Sequence, residues 1–219
     1  MSDPSDPHAD QPIAIAGLPL AESKRAVVML HGRNASARNI LDLVPRLDRP
    51  DFSYVAPAAA NNSWYPFSFL EQVAKNEPYL ASAMSRLECV LADIHGAGIA
   101  SERIALLGFS QGACLAAEFA YRNAQRFGAV MLFSGGLIGP PGTTWKSSRS
   151  FGGTPVFLGC SDIDAHVPQW RVDESADVFD RMEGVVTKRI YPGMGHLVSD
   201  DEIGAAQSLL DQMASSAIV

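Results

Sequence analysis

Long apolar runs are missing from this chain of 219 residues, and no stretch approaches the roughly twenty residues that a membrane helix needs. A surplus of positive charge is missing too. Seventeen lysines and arginines face 24 aspartates and glutamates, a net charge of −7, which argues against nucleic acid and anionic membranes as partners. Cysteines number only three, Cys89, Cys114 and Cys160. An odd count with two in apolar segments makes no disulfide framework, and free thiols suit a reducing interior such as the cytoplasm. The opening Met-Ser-Asp-Pro-Ser-Asp-Pro lacks the basic-then-apolar pattern of a signal peptide. Repeats, heptads and an interdomain linker are also absent, and this length suits one well-buried core better than two. Residues 1–11, polar and proline-rich, are expected to form a disordered tail, leaving 12–219 as a single domain.

What is present is an alternation of short apolar runs with amphipathic stretches. Residues 26–30, 52–56, 104–109, 129–133, 155–158 and 185–191 read as strands, and 13–18 as an edge strand. Helices are expected over 37–47, 79–97, from 111 onward, over 169–182 and over 201–213. Such an order predicts an α/β fold with a mostly parallel sheet, helices on both faces and no large lid domain. Ligands on such sheets bind beyond the carboxyl ends of the strands.

One of those strand ends carries Gly108-Phe-Ser110-Gln-Gly112, a match to the G-x-S-x-G nucleophile elbow. A strand turning directly into a helix strains the turn residue and pushes its side chain outward. Glycines two positions before and after let neighbouring backbones pass closely. The helix then starts beneath Ser110, so its N–H groups and dipole face any negative charge formed above. An apolar strand run before the motif and a small-residue helix after it supply the context that a chance match lacks. Ser110 is the predicted nucleophile.

A serine hydroxyl is a poor nucleophile at neutral pH and needs a base, itself oriented by a carboxylate. On an elbow these partners follow the serine in the order acid, then histidine. Of five histidines, His8 lies in the tail, while His31 and His95 precede the serine, which leaves His166 and His196. His196 ends Tyr191-Pro-Gly-Met-Gly-His196, a glycine-flanked loop past a strand end that can project an imidazole over the sheet. It is the predicted base. The acid falls within Gly159-Cys-Ser-Asp162-Ile-Asp164-Ala-His-Val-Pro168, where two aspartates compete and spacing does not choose. No partner cluster would complete a metal site there, so neither metal nor cofactor is expected.

Leu30-His-Gly32, the elbow, Ser161-Asp-Ile-Asp-Ala-His-Val-Pro168 and Tyr191-Pro-Gly-Met-Gly-His196 together resemble the phospholipase/carboxylesterase family of the α/β-hydrolase fold. That family includes the acyl-protein thioesterases, and the resemblance runs from about Ala26 over nearly all the rest. The family's run His-Gly-Asp-x-Asp-Pro-x-Val-Pro has its second aspartate catalytic, which implies that role for Asp164. Here Cys160-Ser161 replaces His-Gly and Ala165 replaces the proline. The resemblance also implies an oxyanion hole made by the backbone N–H groups of Arg33 and Gln111, donors that need no particular side chain. Ser63-Trp64-Tyr65 matches a Ser-Trp-aromatic run in the family's long loop. Trp64, Tyr65 and Phe67 are therefore candidates to line the substrate pocket, simple packing of the loop being the competing account. Arg33-Asn34 departs from the small apolar residue and glycine usual in acyl-protein thioesterases. A cation beside the acyl site disfavours long lipid chains, unless Arg33 is only a surface ion-pair partner. His31 reads as a hydrogen-bonded structural residue, and Asn76-Glu77 as a solvated helix start.

The activity expected is that of a cofactor-free serine carboxylesterase acting on small-molecule esters with short acyl groups, acetyl to about hexanoyl. A thioesterase or lysophospholipase would use the same residues. An enzyme like the dienelactone hydrolases would carry Cys at the elbow, which Ser110 disfavours. A non-catalytic binding protein on a hydrolase scaffold would normally have lost a triad member, and all three are present.

Overall fold

The computed structural model describes residues 6–215. Strands β1 (Ile13–Gly17), β2 (Ala26–Leu30) and β3 (Ser53–Pro57) precede the elbow strand β4 (Ile104–Phe109), and β5 (Ala129–Phe133), β6 (Pro155–Ser161) and β7 (Val185–Tyr191) follow it. Helices α1 (Ala37–Leu41), α2 (Val44–Leu47), α3 (Tyr79–Gly96), α4 (Gln111–Arg122), α5 (Gln169–Arg181) and α6 (Asp200–Ser215) fill the connections. The strands hydrogen-bond in the order β1-β3-β2-β4-β5-β6-β7. β1 runs antiparallel to β3 at one edge, and the other pairs are parallel.

A parallel sheet covered on both faces sends alternate residues of each strand into opposite cores. Val28, Leu30, Leu106, Val130, Leu132 and Leu158 meet α3, α4 and α5 on one face. Val27, Met29, Leu107, Met131 and Phe157 meet α1, α2 and α6 on the other. After β3 the chain crosses back past β2 to form β4, so the order of the strands reverses between β2 and β4. In open α/β sheets such a reversal opens a crevice at the carboxyl ends, and the elbow sits there.

Two expectations are corrected. The helix expected over 37–47 is broken into α1 and α2, because Pro45 has no N–H to offer the carbonyl of Leu41. Residues 6–11 do not form a disordered tail. His8 is fully buried, its backbone N–H donates to Ser82 Oγ on α3 at 2.9 Å, and Arg86 of α3 donates to the carbonyl of Gln11. A polar segment with little apolar surface is ordered here because its hydrogen-bonding groups meet fixed partners. Residues 1–5 of that expected tail lie outside the described residues. Among the described residues no helix is long and apolar enough to cross a membrane.

Candidate active site

The elbow is fixed by backbone contact. Ser110 N–H donates to the carbonyl of Phe133 on β5 at 2.9 Å, and α4 begins at the next residue. Ser110 itself takes φ 56° and ψ −121°, a conformation costly for any residue with a side chain and characteristic of strained functional turns. A Cβ on Gly108 would stand 2.4 Å from the carbonyl oxygen of Gly112, and one on Gly112 would stand 2.1 Å from that of Leu30. Glycine is thus required twice, once for the start of α4 and once for the end of β2.

Three strand ends then bring the predicted triad together. His196 Nε2 lies 2.8 Å from Ser110 Oγ, and His196 Nδ1 lies 2.6 Å from Asp164 Oδ2. The second carboxylate oxygen, Oδ1, accepts the N–H groups of His166 at 2.8 Å and Val167 at 2.9 Å. Burial alone would push the Asp164 carboxyl up. Hydrogen bonds from His196, Val167 and His166 outweigh it and hold the carboxyl below its usual range. Between the competing aspartates the geometry chooses Asp164, since Asp162 accepts the N–H of Gly193 at 2.8 Å and braces the histidine loop instead. The imidazole of His196 lies between the rings of Phe109 and His166, with centroids 4.9 and 4.7 Å away. His166, the other candidate base, therefore stands beside His196.

The end of β2 closes against the nucleophile. A Cβ on Gly32 would sit 3.4 Å from that of Ser110. Next to it, the backbone N–H groups of Arg33 and Gln111 donate to no protein acceptor among the described residues. They stand at a loop turn and at the first residue of a twelve-residue helix, as donors for a developing oxyanion must.

A cavity of about 570 Å³ opens above Ser110. Tyr65, Phe67 and Phe69 of the long loop line it, with Phe109, Cys114, Val167 and the Arg33 side chain. Trp64 does not. It is fully buried behind the loop, its indole N–H donating to the carbonyl of His31 at 2.9 Å. Of the three aromatic candidates, two face the cavity and one holds the wall from behind.

That wall is held by side chains from distant parts of the chain. Gln111 accepts the N–H of Trp64 at 3.0 Å and donates to the carbonyl of Tyr65 at 2.8 Å. The Arg33 guanidinium donates to the carbonyls of Pro66 at 2.7 Å and Phe67 at 2.6 Å. It is neither a surface ion-pair partner nor a loose cation but a clamp. Asn76 is fully buried rather than a solvated helix start. It accepts the N–H of Phe67 at 2.9 Å and donates to the carbonyl of Ser68 at 3.1 Å. Glu77 does serve the start of α3, accepting the N–H of Ala81 at 2.9 Å. His31 is structural, as expected, donating to the carbonyl of Gly32 at 2.8 Å and accepting from the N–H of Ala59 at 3.1 Å.

Sequence reasoning missed the side-chain role of Gln111, the burial of Asn76 and the ordering of His8. For Gln111 the signal was its place inside the elbow motif. For Asn76 and His8 the sequence carried none, because their partners lie 8 to 74 positions away. Among the described residues no group of three metal-ligating side chains stands together.

Residues 18–214 match the family model described as phospholipase/carboxylesterase. A crystal structure of a phospholipase/carboxylesterase from Dyadobacter fermentans superposes with a TM-score of 0.89 at 41% identity, covering 92% of this chain and 97% of that one. Acyl-protein thioesterase 1 of Eremothecium gossypii is 28% identical over 233 residues, covering 93% of this chain and 95% of its own. An Arabidopsis thaliana protein named "Probable carboxylesterase SOBER1-like" is 27% identical over 158 residues, and the match spans 60% of its length.

Proposed function

Since the chain belongs to the phospholipase/carboxylesterase family and is a carboxylic ester hydrolase, we propose that it cleaves small to medium soluble esters through an acyl-enzyme at Ser110. The observation that supports this most is the hydrogen-bonded chain Ser110–His196–Asp164, at 2.8 and 2.6 Å, on a strained elbow. His196 takes the hydroxyl proton as Ser110 Oγ attacks the ester carbonyl, while Asp164 holds the Nδ1–H tautomer and stabilises the imidazolium. The carbonyl oxygen gains negative charge between the N–H groups of Arg33 and Gln111. His196 then returns the proton to the departing alcohol, and water repeats the sequence to free the acid. No step calls on a metal or cofactor. The reading places the protein in the cytoplasm with a small-molecule substrate, in keeping with free Cys89, Cys114 and Cys160.

Tyr65, Phe67 and Phe69 bound the cavity with rings, and the Arg33 clamp sets a cation at its edge. An alkyl chain running past Arg33 must desolvate that cation, so the proposed preference is for acetyl to about hexanoyl esters. A fluorophosphonate should label Ser110 alone and abolish hydrolysis of p-nitrophenyl butyrate. A label elsewhere, or full activity in Ser110→Ala, rejects the nucleophile. Along the acyl series, a steady rise in kcat/KM to palmitoyl rejects the short-chain preference. It would favour the second reading, a thioesterase like the Eremothecium relative.

A further inference from the structure

Two buried histidines that the reaction does not use stand behind the pocket wall, both in ring contact with Trp64. The ring of His31 lies 5.0 Å from the Trp64 ring, and that of His8 lies 5.6 Å from it. Each imidazole makes one donated and one accepted hydrogen bond, and the partners assign the tautomers. His8 donates from Nε2 to the carbonyl of Trp64 at 3.0 Å and accepts at Nδ1 from the N–H of Ala60 at 2.9 Å. His31 has the opposite arrangement, donating from Nδ1 to Gly32 and accepting at Nε2 from Ala59.

We propose that residues 6–11 form a strap over the catalytic domain and that His8 is a positioning residue for ester cleavage, setting the pocket wall at 65–67 against the oxyanion hole. This rests on the reading that Ser110 is the nucleophile and that the cavity above it takes the ester. Trp64 is the link. Its carbonyl is held by His8, its indole by the carbonyl of His31, and its own N–H by Gln111. Tyr65, the next residue, lines the cavity and gives its carbonyl to Gln111 at 2.8 Å. His31 is two residues before Arg33. A shift of Trp64 is therefore passed directly to Gln111, and through His31 and Gly32 to Arg33, the two residues whose N–H groups receive the oxyanion. The strap end is itself anchored. The His8 N–H and the Asp6 carboxylate both bond Ser82 Oγ, while Asp6 and Arg86 are the charged groups that act on the His8 ring, and His8 in turn acts on His31. Tyr79 meets it edge-on at 5.9 Å.

A merely stabilising tail would change the melting temperature and leave selectivity untouched. A positioning strap changes selectivity, since loss of orientation costs most where the substrate touches the displaced wall. His8→Phe in the full chain keeps a ring in place and gives up both hydrogen bonds. Assayed well below its Tm, it should lose about tenfold in kcat/KM on p-nitrophenyl hexanoate and only about twofold on the acetate. Fluorophosphonate should still label Ser110 once per chain, and His8→Gln, which can donate and accept, should recover part of the loss. Ser82→Ala removes the bonds of His8 N–H and Asp6 to α3, with the His8 ring and the Arg86 bond to Gln11 intact, and should give the same graded pattern at about threefold. It carries the test if His8→Phe does not fold. A wild-type kcat/KM profile along the acyl series in either folded variant overturns the strap, whatever happens to Tm. Normal labelling of Ser110 with a flat profile removes the strap alone, whereas full activity in Ser110→Ala removes the reading beneath it.

Discussion

The elbow under the pocket and the aromatic loop beside it are both fixed by dense contacts, but the contacts differ in kind. At the elbow, backbone meets backbone: Gly112 against the carbonyl of Leu30, Gly108 against that of Gly112, and Ser110 N–H on that of Phe133. In the loop, side chains hold peptides: His8, His31, Arg33, Asn76 and Gln111 each bond main-chain groups between Ala59 and Ser68. A backbone contact tolerates no substitution that adds a Cβ. A side-chain clamp can be lost singly while its neighbours still hold. On the proposed mechanism the reacting atoms sit on the part that cannot yield, and the substrate's shape is read by the part that can be adjusted one residue at a time.

The sharpest way to break the comparison is to overfill the elbow. Gly112→Val should abolish esterase activity or the folded protein, because the obstructing atom is the Leu30 carbonyl at 2.1 Å and cannot move alone. Activity assays with circular dichroism check it, and a folded, active Gly112→Val would refute the backbone account. Next in size is the acid. Asp164→Asn should lower kcat by about 10⁴, through loss of the correct His196 tautomer. Asp162→Asn, which can still accept from Gly193, should cost far less, and the opposite ranking in steady-state kinetics would reverse the assignment.

The wall should respond more gently. Asn76→Ala removes two of its hydrogen bonds but leaves Gln111, Arg33 and the histidines in place. A loss of up to about thirtyfold in kcat/KM on p-nitrophenyl hexanoate is expected, at roughly 1 kcal/mol for each net hydrogen bond. Arg33→Leu removes the cation and frees the carbonyls of Pro66 and Phe67. It should raise the ratio of kcat/KM for octanoyl over butyryl esters by about tenfold, as each accommodated methylene adds tenfold or less. An unchanged ratio would show that Arg33 is not the gate.

This contrast explains what could be read from the chain before its structure. The alternation of strands and helices, the elbow and the loop that carries His196 were legible because each is written in contiguous residues: apolar runs, two glycines at fixed spacing, a glycine-flanked loop. Asp164 was legible only through the resemblance, since spacing alone left Asp162 in contention. The wall was half legible. Ser63-Trp64-Tyr65 marked it as a pocket loop, but Trp64 turned out to brace it from behind, against imidazoles from residues 8 and 31. Nothing local distinguishes a polar tail that will be buried from one that will not. The difference lies in whether Ala60, Trp64 and Ser82 present groups at the right distance, and that is settled only when the sheet has assembled.

The last and smallest effect separates the two regions by acid. Burial lowers the pKa of His8, outweighing its hydrogen bond to Trp64 and the charge of Asp6. It does the same for His31 against the hydrogen bond to Gly32. Both rings therefore favour the neutral form more strongly when folded, while in the unfolded chain they take up protons near the ordinary value of 6.5. The sign follows from proton counting. Well above the ordinary value of 6.5 neither state binds these protons, and the contribution of the two rings to stability is constant. As pH falls below it, the unfolded chain binds up to two more protons than the folded one, and stability falls by up to about 1.4 kcal/mol per pH unit for each histidine. The loss ends once the folded rings also protonate, an event that sets a ring N–H against the amides of Ala59 and Ala60. Asp164, held below the usual carboxylate range, keeps its contribution until the pH is lower still. Urea denaturation in steps from pH 8 to 5 should show the decline beginning near 6.5, with a shallower slope in His8→Phe. Hydrogen exchange should find the amides of Ala59 and Ala60 losing protection before that of Ser110. Equal slopes in the two proteins, or simultaneous loss at Ala59 and Ser110, would mean that the wall and the elbow yield as one unit.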